Sequence, residues 1–266
     1  MKFWFCLGLF CCSFASHGVV KRHDVPPKHY LVKSAPEYLI NMPHEGHGVL
    51  INSQWVVTVA HTIFYDYVGK SLTIGTKSYE ITQVYLHPKY SKPASNLLQG
   101  DLAPLMDFLK SRSDIALIKL ATPVSGVTPV AIYGGSDEQG KTITVFGKGA
   151  TGNGINGEDL STKSHHVMHQ FQNVVNSAQG NWLSFTFDEP NNALPLEGMH
   201  GSGDSGGAAI VHENGRPLLI GLSSWQLATG DIAAFKGGLY GTTAYQVRLS
   251  SYRDWINAVM GTAHVN

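Results

Sequence analysis

At 266 residues the chain is long enough to bury a substantial core, as one large domain or two fused units. Hydrophobic residues make up 43% and charged residues 14%, with 29 glycines, a balance that argues against a disordered or coiled-coil chain and suits a turn-rich β protein. The formal net charge is zero, so no global attraction to nucleic acid or to a membrane surface is expected.

The chain begins with a positive residue, Lys2, followed by an almost wholly apolar run over 3–14. Ser13-Phe14-Ala15 and Ser16-His17-Gly18 each place small residues where a signal peptidase reads. The run is far short of the roughly 20 residues a spanning helix needs, so residues 1–18 read as a signal peptide cut after 15 or 18 and the product as secreted, extracellular or periplasmic. No stable membrane association is expected. All three cysteines, Cys6, Cys11 and Cys12, fall inside this segment, so the mature chain would carry neither thiol nor disulfide. Attachment of lipid at Cys11 or Cys12 is disfavoured by bulky Phe10 and by the adjacent second cysteine.

Beyond the leader, short runs rich in β-branched and aromatic residues recur between turn signals at 48–51, 55–59, 71–74, 81–86, 115–120, 142–146, 182–187, 208–211, 217–223 and 239–243. That frequency predicts an all-β sandwich or barrel. Residues 91–112 read as an inserted loop, 121–130 as a crossing between two β units, and the glycine-rich stretch 147–159 as a mobile surface loop. Helical periodicity emerges at the end, where Tyr252, Trp255, Ile256, Val259 and Met260 share one face behind a Ser250/Ser251 cap. No internal repeat or low-complexity tract is present.

Three segments carry chemistry. A serine hydroxyl is a poor nucleophile at neutral pH and needs a base for its proton and donors for the oxyanion that forms. Gly203-Asp204-Ser205-Gly206-Gly207 supplies nucleophile and donors, and Trp55-Val56-Val57-Thr58-Val59-Ala60-His61 supplies the base. Between them Ser113-Asp114-Ile115-Ala116-Leu117-Ile118-Lys119-Leu120 offers an acid able to orient an imidazole and compensate its charge. A lone histidine in an apolar strand is ordinarily a packed one, and an acid before a strand is ordinarily a cap. The ordered set of three reverses that reading.

These segments resemble the chymotrypsin/trypsin-like serine proteases. Leu50-Ile51-Asn52-Ser53-Gln54-Trp55 is similar to that family's approach to the histidine, His87-Pro88-Lys89-Tyr90 to a first-barrel turn, Gly147-Lys148-Gly149 to the glycine pair after the strand opening the second barrel, and Ser223-Ser224-Trp225 to the strand that pairs with substrate. The resemblance runs from about Val19 to about Met260. It implies two six-stranded antiparallel β-barrels with a C-terminal helix: a first barrel over 19–125, and a second over 126–266 that includes the helix, together one peptidase domain. It implies a monomer that cleaves a protein or peptide substrate without a cofactor or metal, with His61, Asp114 and Ser205 as the triad and the N–H groups of Gly203 and Ser205 as the oxyanion hole. One departure is clear. The bridge that animal members carry beside the histidine is replaced by Gly46 and Thr62, which favours a bacterial-type, disulfide-free member.

Three rivals are weighed. Gly203 to Gly207 also fits the nucleophile elbow of an α/β-hydrolase, for which Asp231 and His264 are nominal partners, but that elbow demands a helix after the serine, whereas 208–223 reads as a hairpin. A non-catalytic binding module on the protease fold ordinarily loses a triad residue or the oxyanion glycine, and this chain keeps them. Among thirteen histidines the densest group is His165, His166 and His169; with no surviving cysteine and no adjacent acid, exposed polar positions explain it better than zinc.

The resemblance places Met199 where trypsin-like members carry the acid that recognises Arg or Lys, so Met199, His200, Ser224, Trp225 and Gln226 form the expected substrate pocket. Its floor is uncharged or weakly basic, and cleavage after neutral residues is expected, with acidic or amide residues second. Gln226 either narrows the pocket or offers it an amide, and His200 either faces the pocket or turns away. Asp204 is the expected partner of a new N-terminus at Val19, released by signal removal itself; cleavage after Ala15 is the plainer alternative.

Overall fold

A computed structural model describes residues 18–162 and 167–262. Residues 1–17 of the expected signal segment 1–18, His165, His166 and His264 lie outside the described residues.

Strand β1 (Val20–Lys21) is followed by β2 (Leu39–Asn41), β3 (His47–Asn52), β4 (Trp55–Thr58), β5 (Ser71–Ile74) and β6 (Lys77–Leu86). A helix α1 (Ala103–Ser111) then leads into β7 (Ala116–Leu120). β2 to β7 form a six-stranded sheet in the order β2-β3-β4-β7-β6-β5, and each neighbouring pair is antiparallel. β4 and β7 are its central strands. Both are nearly continuous runs of buried apolar residues, Trp55 to Val57 and Ala116 to Ile118, as strands covered on both faces require.

The second half holds β8 (Ala131–Ile132), β9 (Thr142–Gly147), β10 (Thr151–Asn153), β11 (Gly157–Asp159), β12 (His169–Val174), β13 (Ser177–Gln179), β14 (Trp182–Thr186), β15 (Gly198–Met199), β16 (Ala208–Glu213), β17 (Arg216–Gln226) and β18 (Thr243–Arg248), then helix α2 (Arg253–Thr262). An eight-stranded sheet runs β12-β9-β16-β17-β18-β14-β13 with β8 beside β17, and a small sheet runs β11-β10-β1-β15. The molecule is therefore mostly β, built on two barrel-like antiparallel sheets with a short C-terminal helix. The second sheet is larger than the six strands expected, and a third, small sheet anchors the N-terminal strand.

Apolar side chains fill a core inside each sheet, centred on Leu50, Ile81 and Ile118 in the first and Val145, Phe171 and Phe185 in the second. A further cluster joins the two, in which Trp55 and Leu117 meet Leu222, Trp225 and α2 residue Ile256. The α2 face is as expected, with Tyr252 and Ile256 buried. Its serines do not cap it: Ser251 Oγ donates to the Arg248 carbonyl and Ser250 Oγ to the buried Glu138 carboxylate.

Two expected loops are ordered elements. Residues 91–112 contain α1, whose Leu102, Leu105, Met106 and Leu109 recur at spacings of 3, 4 and 7 and are buried. Pro104 sits in its first turn, where a missing N–H costs nothing, and Asp101 accepts from the Ala103 N–H. Residues 147–159 contain β10 and β11, held by parallel pairing of β10 with β1. The glycines serve close approach here, since a Cβ on Gly149 would press on the Gly203 and Asp204 backbone.

Candidate active site

His61 lies in a single turn (Ala60–Thr62) that begins two residues past the end of β4, and Asp114 stands two residues before the start of β7. Because β4 and β7 are hydrogen-bonded neighbours, with Thr58 opposite Ala116, the end of one strand and the start of the other meet. The pairing alone thus brings acid to base across 53 residues. Asp114 Oδ1 accepts from the His61 backbone N–H at 2.9 Å, and Oδ2 stands 2.6 Å from His61 Nδ1. The other ring nitrogen, Nε2, is 2.8 Å from Ser205 Oγ.

Ser205 comes from the second half, in the turn before β16. Gly206 has φ of +77°, in the left-handed region, and a Cβ there would collide with the His47 carbonyl. The His47 N–H in turn donates to the Ser205 carbonyl at 2.7 Å, so the nucleophile's turn is tied directly to β3. A Cβ on Gly46 would meet Ser205 O and Thr62 Cγ2 at 2.7 and 2.8 Å, so the two positions that replace the animal disulfide do face each other. Gly203 has φ of +93°, and among the described residues neither its N–H nor that of Ser205 donates to a protein acceptor. The geometry can pass a proton from Ser205 to His61, balance the imidazolium with Asp114, and offer two N–H groups to an oxyanion.

Asp114 is fully buried. Burial alone would raise its carboxyl; His61, the Arg112 guanidinium and the Ser224 hydroxyl outweigh that and hold it well below the usual carboxylate range. Ser224 Oγ donates to Asp114 Oδ2 at 2.6 Å, so this expected pocket residue directs its side chain behind the acid. Arg112 Nη2 donates to the same oxygen at 3.4 Å.

A cavity of about 270 Å³ adjoins Ser205 and is lined by His200, Ser224, Trp225 and Gln226 as expected. Met199 is not brought there. It pairs with Val20 in the small sheet and its side chain packs in the second core. His200 is buried against the cavity, and burial, followed by the proximity of His61, lowers its imidazole to about 4. Its Nδ1 lies 3.3 Å from Gln246 Nε2. The Gln226 amide is fixed at both ends: Nε2 donates to the His200 carbonyl at 2.8 Å and Oε1 accepts from the Gly238 N–H at 2.9 Å. Sequence reasoning missed Glu158, which reaches the cavity from β11 and accepts from the Ser202 N–H at 2.7 Å. It also missed the apolar wall supplied by Leu105 and Met106 of α1. For α1 a signal existed in its 3-4-7 spacing; for Glu158 there was none.

Asp204 is fully buried beside Ser205. Its Oδ1 accepts from the Gly149 N–H at 2.6 Å and its Oδ2 from the Gly201 N–H at 2.9 Å. Burial nonetheless pushes the carboxyl up to about 7, against the pull of those N–H groups and of Lys21. Val19 is fully buried nearby: Gly147 abuts both Gly18 and the Asp204 carboxylate. Val19 has φ of +46°, a left-handed conformation costly for a β-branched residue.

Of the rival sites, the elbow fails on topology, because strand β16 follows Ser205 where a helix is required. Asp231 instead caps a short turn, accepting from the Ala233 N–H. His169 is buried, with Nδ1 2.9 Å from the Val167 carbonyl.

Two antiparallel β units with serine, histidine and aspartate converging between them define a hydrolase of the serine-protease class. The trypsin family model matches residues 34–256, and the chain belongs to the trypsin family. It is 28% identical over 233 residues to a trypsin from Phaedon cochleariae, covering 79% of this chain and 76% of that protein. It is 22% identical over 245 residues to vitamin K-dependent protein C from Rattus norvegicus and 23% identical over 247 to a complement C1r-B subcomponent from Mus musculus. Those matches cover 82% and 81% of this chain but only 47% and 31% of the relatives' own lengths. Among the described residues no helix is long and apolar enough to cross a membrane.

Proposed function

We propose that the protein is a secreted serine endopeptidase that hydrolyses peptide bonds through an acyl-enzyme, acting as a monomer on protein or peptide substrates. The observation that carries this reading is the unbroken path from Asp114 Oδ2 through His61 to Ser205 Oγ, with steps of 2.6 and 2.8 Å. Ser205 attacks the scissile carbonyl, and His61 takes its proton and returns it to the leaving amine. Asp114 holds the tautomer and balances the imidazolium. The N–H groups of Gly203 and Ser205 hold the oxyanion, donors of a kind worth about 3 to 4 kcal/mol each in related sites.

The lining of the cavity supports cleavage after a small, neutral residue. The doubly anchored Gln226 amide bars a long side chain, and buried His200, held neutral, offers no charge. The apolar surface of Leu105, Met106 and Trp225 suits apolar side chains on the amino side of the scissile bond. Glu158 is committed to Ser202, so it is a wall and not a receptor for Arg or Lys.

Activation follows from Val19. Its positive φ is defined by the bond to residue 18 and costs about 1–3 kcal/mol in a β-branched residue, so cutting that bond removes the cost. The freed ammonium then pairs with the buried Asp204 carboxylate, on which Lys21 already pulls, and orders the oxyanion loop.

The test is labelling of the secreted protein and of Ser205→Ala with a serine-reactive phosphonate, alongside cleavage profiling on a peptide library. Labelling at Ser205 and loss of several orders of magnitude in turnover on Ser205→Ala or His61→Ala are expected. Near-normal turnover in folded Ser205→Ala overturns the assignment, and absence of any labelling returns the chain to a binding module.

A further inference from the structure

Arg112 adds a second cationic partner to the buried acid that faces His61. It lies at the end of the α1 segment, two residues before Asp114, and is 6% exposed. Its guanidinium carbon stands 5.4 Å from the centre of the Tyr90 ring and 5.9 Å from that of Phe108, so the fork is held between aromatic faces from the β6–α1 connection and from α1 itself. Nη2 donates to Asp114 Oδ2 at 3.4 Å. That oxygen already takes Ser224 Oγ and faces His61 Nδ1, both at 2.6 Å, while Oδ1 serves the His61 backbone N–H. One carboxylate thus answers to a guanidinium as well as to the imidazole.

We infer that Arg112 is a positioning residue that works through Asp114: its fixed positive charge offsets the carboxylate, disfavours imidazolium at His61 before substrate binds, and so carries activity to lower pH. The inference rests on the triad reading. When His61 is protonated, the group Arg112–Asp114–His61, with the first two buried and the imidazole partly exposed, bears one net positive charge, whereas the pair without Arg112 would be neutral. Because Arg112 and Asp114 are themselves buried, a like charge one carboxylate away retains much of its effect. The proton His61 gains during acylation comes from Ser205 and is handed to the leaving amine, so Arg112 neither donates nor accepts a proton in the cycle.

Other titratable groups among the described residues also face this unit. Tyr90 and Tyr252 feel the Asp114 charge, and burial pushes both phenols up to about 12, so they stay neutral across the working range. His200 faces His61 and is itself lowered to about 4, so it is uncharged above mildly acidic pH. His87, stacked on Tyr252 and Trp255 at 5.3 and 5.0 Å, is lowered by burial and by Lys89. Among the described residues, Arg112 is the Lys or Arg side chain that contacts the acid directly.

The experiment is the pH dependence of kcat/KM for the mature enzyme with Arg112→Met, Arg112→Gln and Arg112→Lys, using one neutral peptide substrate. Both neutral variants should move the acidic limb to higher pH by about half a unit to one unit, losing about three- to tenfold activity near its foot while changing little on the alkaline plateau. Arg112→Lys should keep the limb within about 0.2 unit, since it retains the charge. An unmoved limb in a folded neutral variant, or a limb displaced to lower pH, overturns the inference. So does a limb that moves to higher pH by about half a unit or more in Arg112→Lys, a result that is read even if the neutral variants fail to fold. Loss of turnover in Ser205→Ala alongside an unmoved Arg112→Met limb defeats this inference alone, whereas an active Ser205→Ala defeats the triad reading beneath it.

Discussion

The Asp204 carboxyl gives the most direct physical test of how the chain is armed. While residue 18 is joined to Val19, burial holds this carboxyl at about 7, against 3.8 for an ordinary aspartate. A raised carboxyl favours the proton in the folded state, so below about pH 4 the group costs the fold nothing. Between about pH 4 and 7 the unfolded chain ionises while the folded one resists, and the fold loses stability progressively until the loss levels off above pH 7. About three units at 1.36 kcal/mol each is a loss of about 4 kcal/mol, a large share of a typical domain's stability. The perturbation is the chain start: urea unfolding of Ser205→Ala protein, which cannot digest itself, is measured from pH 4 to 8.5 with and without the residues before Val19. Each form is compared with its Asp204→Asn variant, so that other titrations cancel. In the extended chain the aspartate form should fall by about 4 kcal/mol relative to the asparagine form as pH rises. In the chain beginning at Val19 the α-ammonium supplies a partner, and the fall should shrink or reverse. A flat difference in the extended chain, or the same fall in both chain forms, refutes the reasoning.

Other outcomes follow from single contacts. Gln226→Gly removes the amide bridge between the His200 carbonyl and the Gly238 N–H, and kcat/KM for substrates with a large apolar side chain before the scissile bond should rise about tenfold or more; library profiling that shows no gain counts against the barred pocket. Ser224→Ala deletes a hydrogen bond to a buried carboxylate, worth about 1.5–3 kcal/mol, and kcat/KM should drop at least about tenfold in steady-state assays. Gly206→Ala meets both a left-handed backbone and the His47 carbonyl, so the thermal midpoint should fall and phosphonate labelling of Ser205 should be abolished.

The sequence carried the site because its chemistry is written in short strings. His61, Asp114 and Ser205 each sit in a local motif whose residue types the proposed reaction demands, and strands such as β4, β7 and β9 announce themselves through β-branched runs. The α2 face was legible for the same reason, a period of 3.6 in apolar residues. Where the pattern broke down, pairing partners had supplied the order. β12 alternates buried and solvent-facing residues, yet places His169 and Asn173 on its buried face, so its period is hidden by polar residues satisfied only in the fold. β18 lies at Thr243–Arg248 and not at 239–243, because buried Gln246 and half-buried Arg248 find their partners in His200 and Glu138.

By itself, then, the sequence determined the class of architecture and singled out the three side chains that the fold brings into contact, since hydrophobic period and residue chemistry are local properties. Only the tertiary structure decided what surrounds them. The β4–β7 pairing put His61 against Asp114, and the register of β1 with β15 carried Met199 into the core and away from the cavity. The insert folded as a helix that walls the cavity beside Ser205 and delivers Arg112 to the acid. Those contacts join residues far apart in the chain or turned by a helix end, and their energies depend on burial and direction, which exist only once the chain has closed on itself.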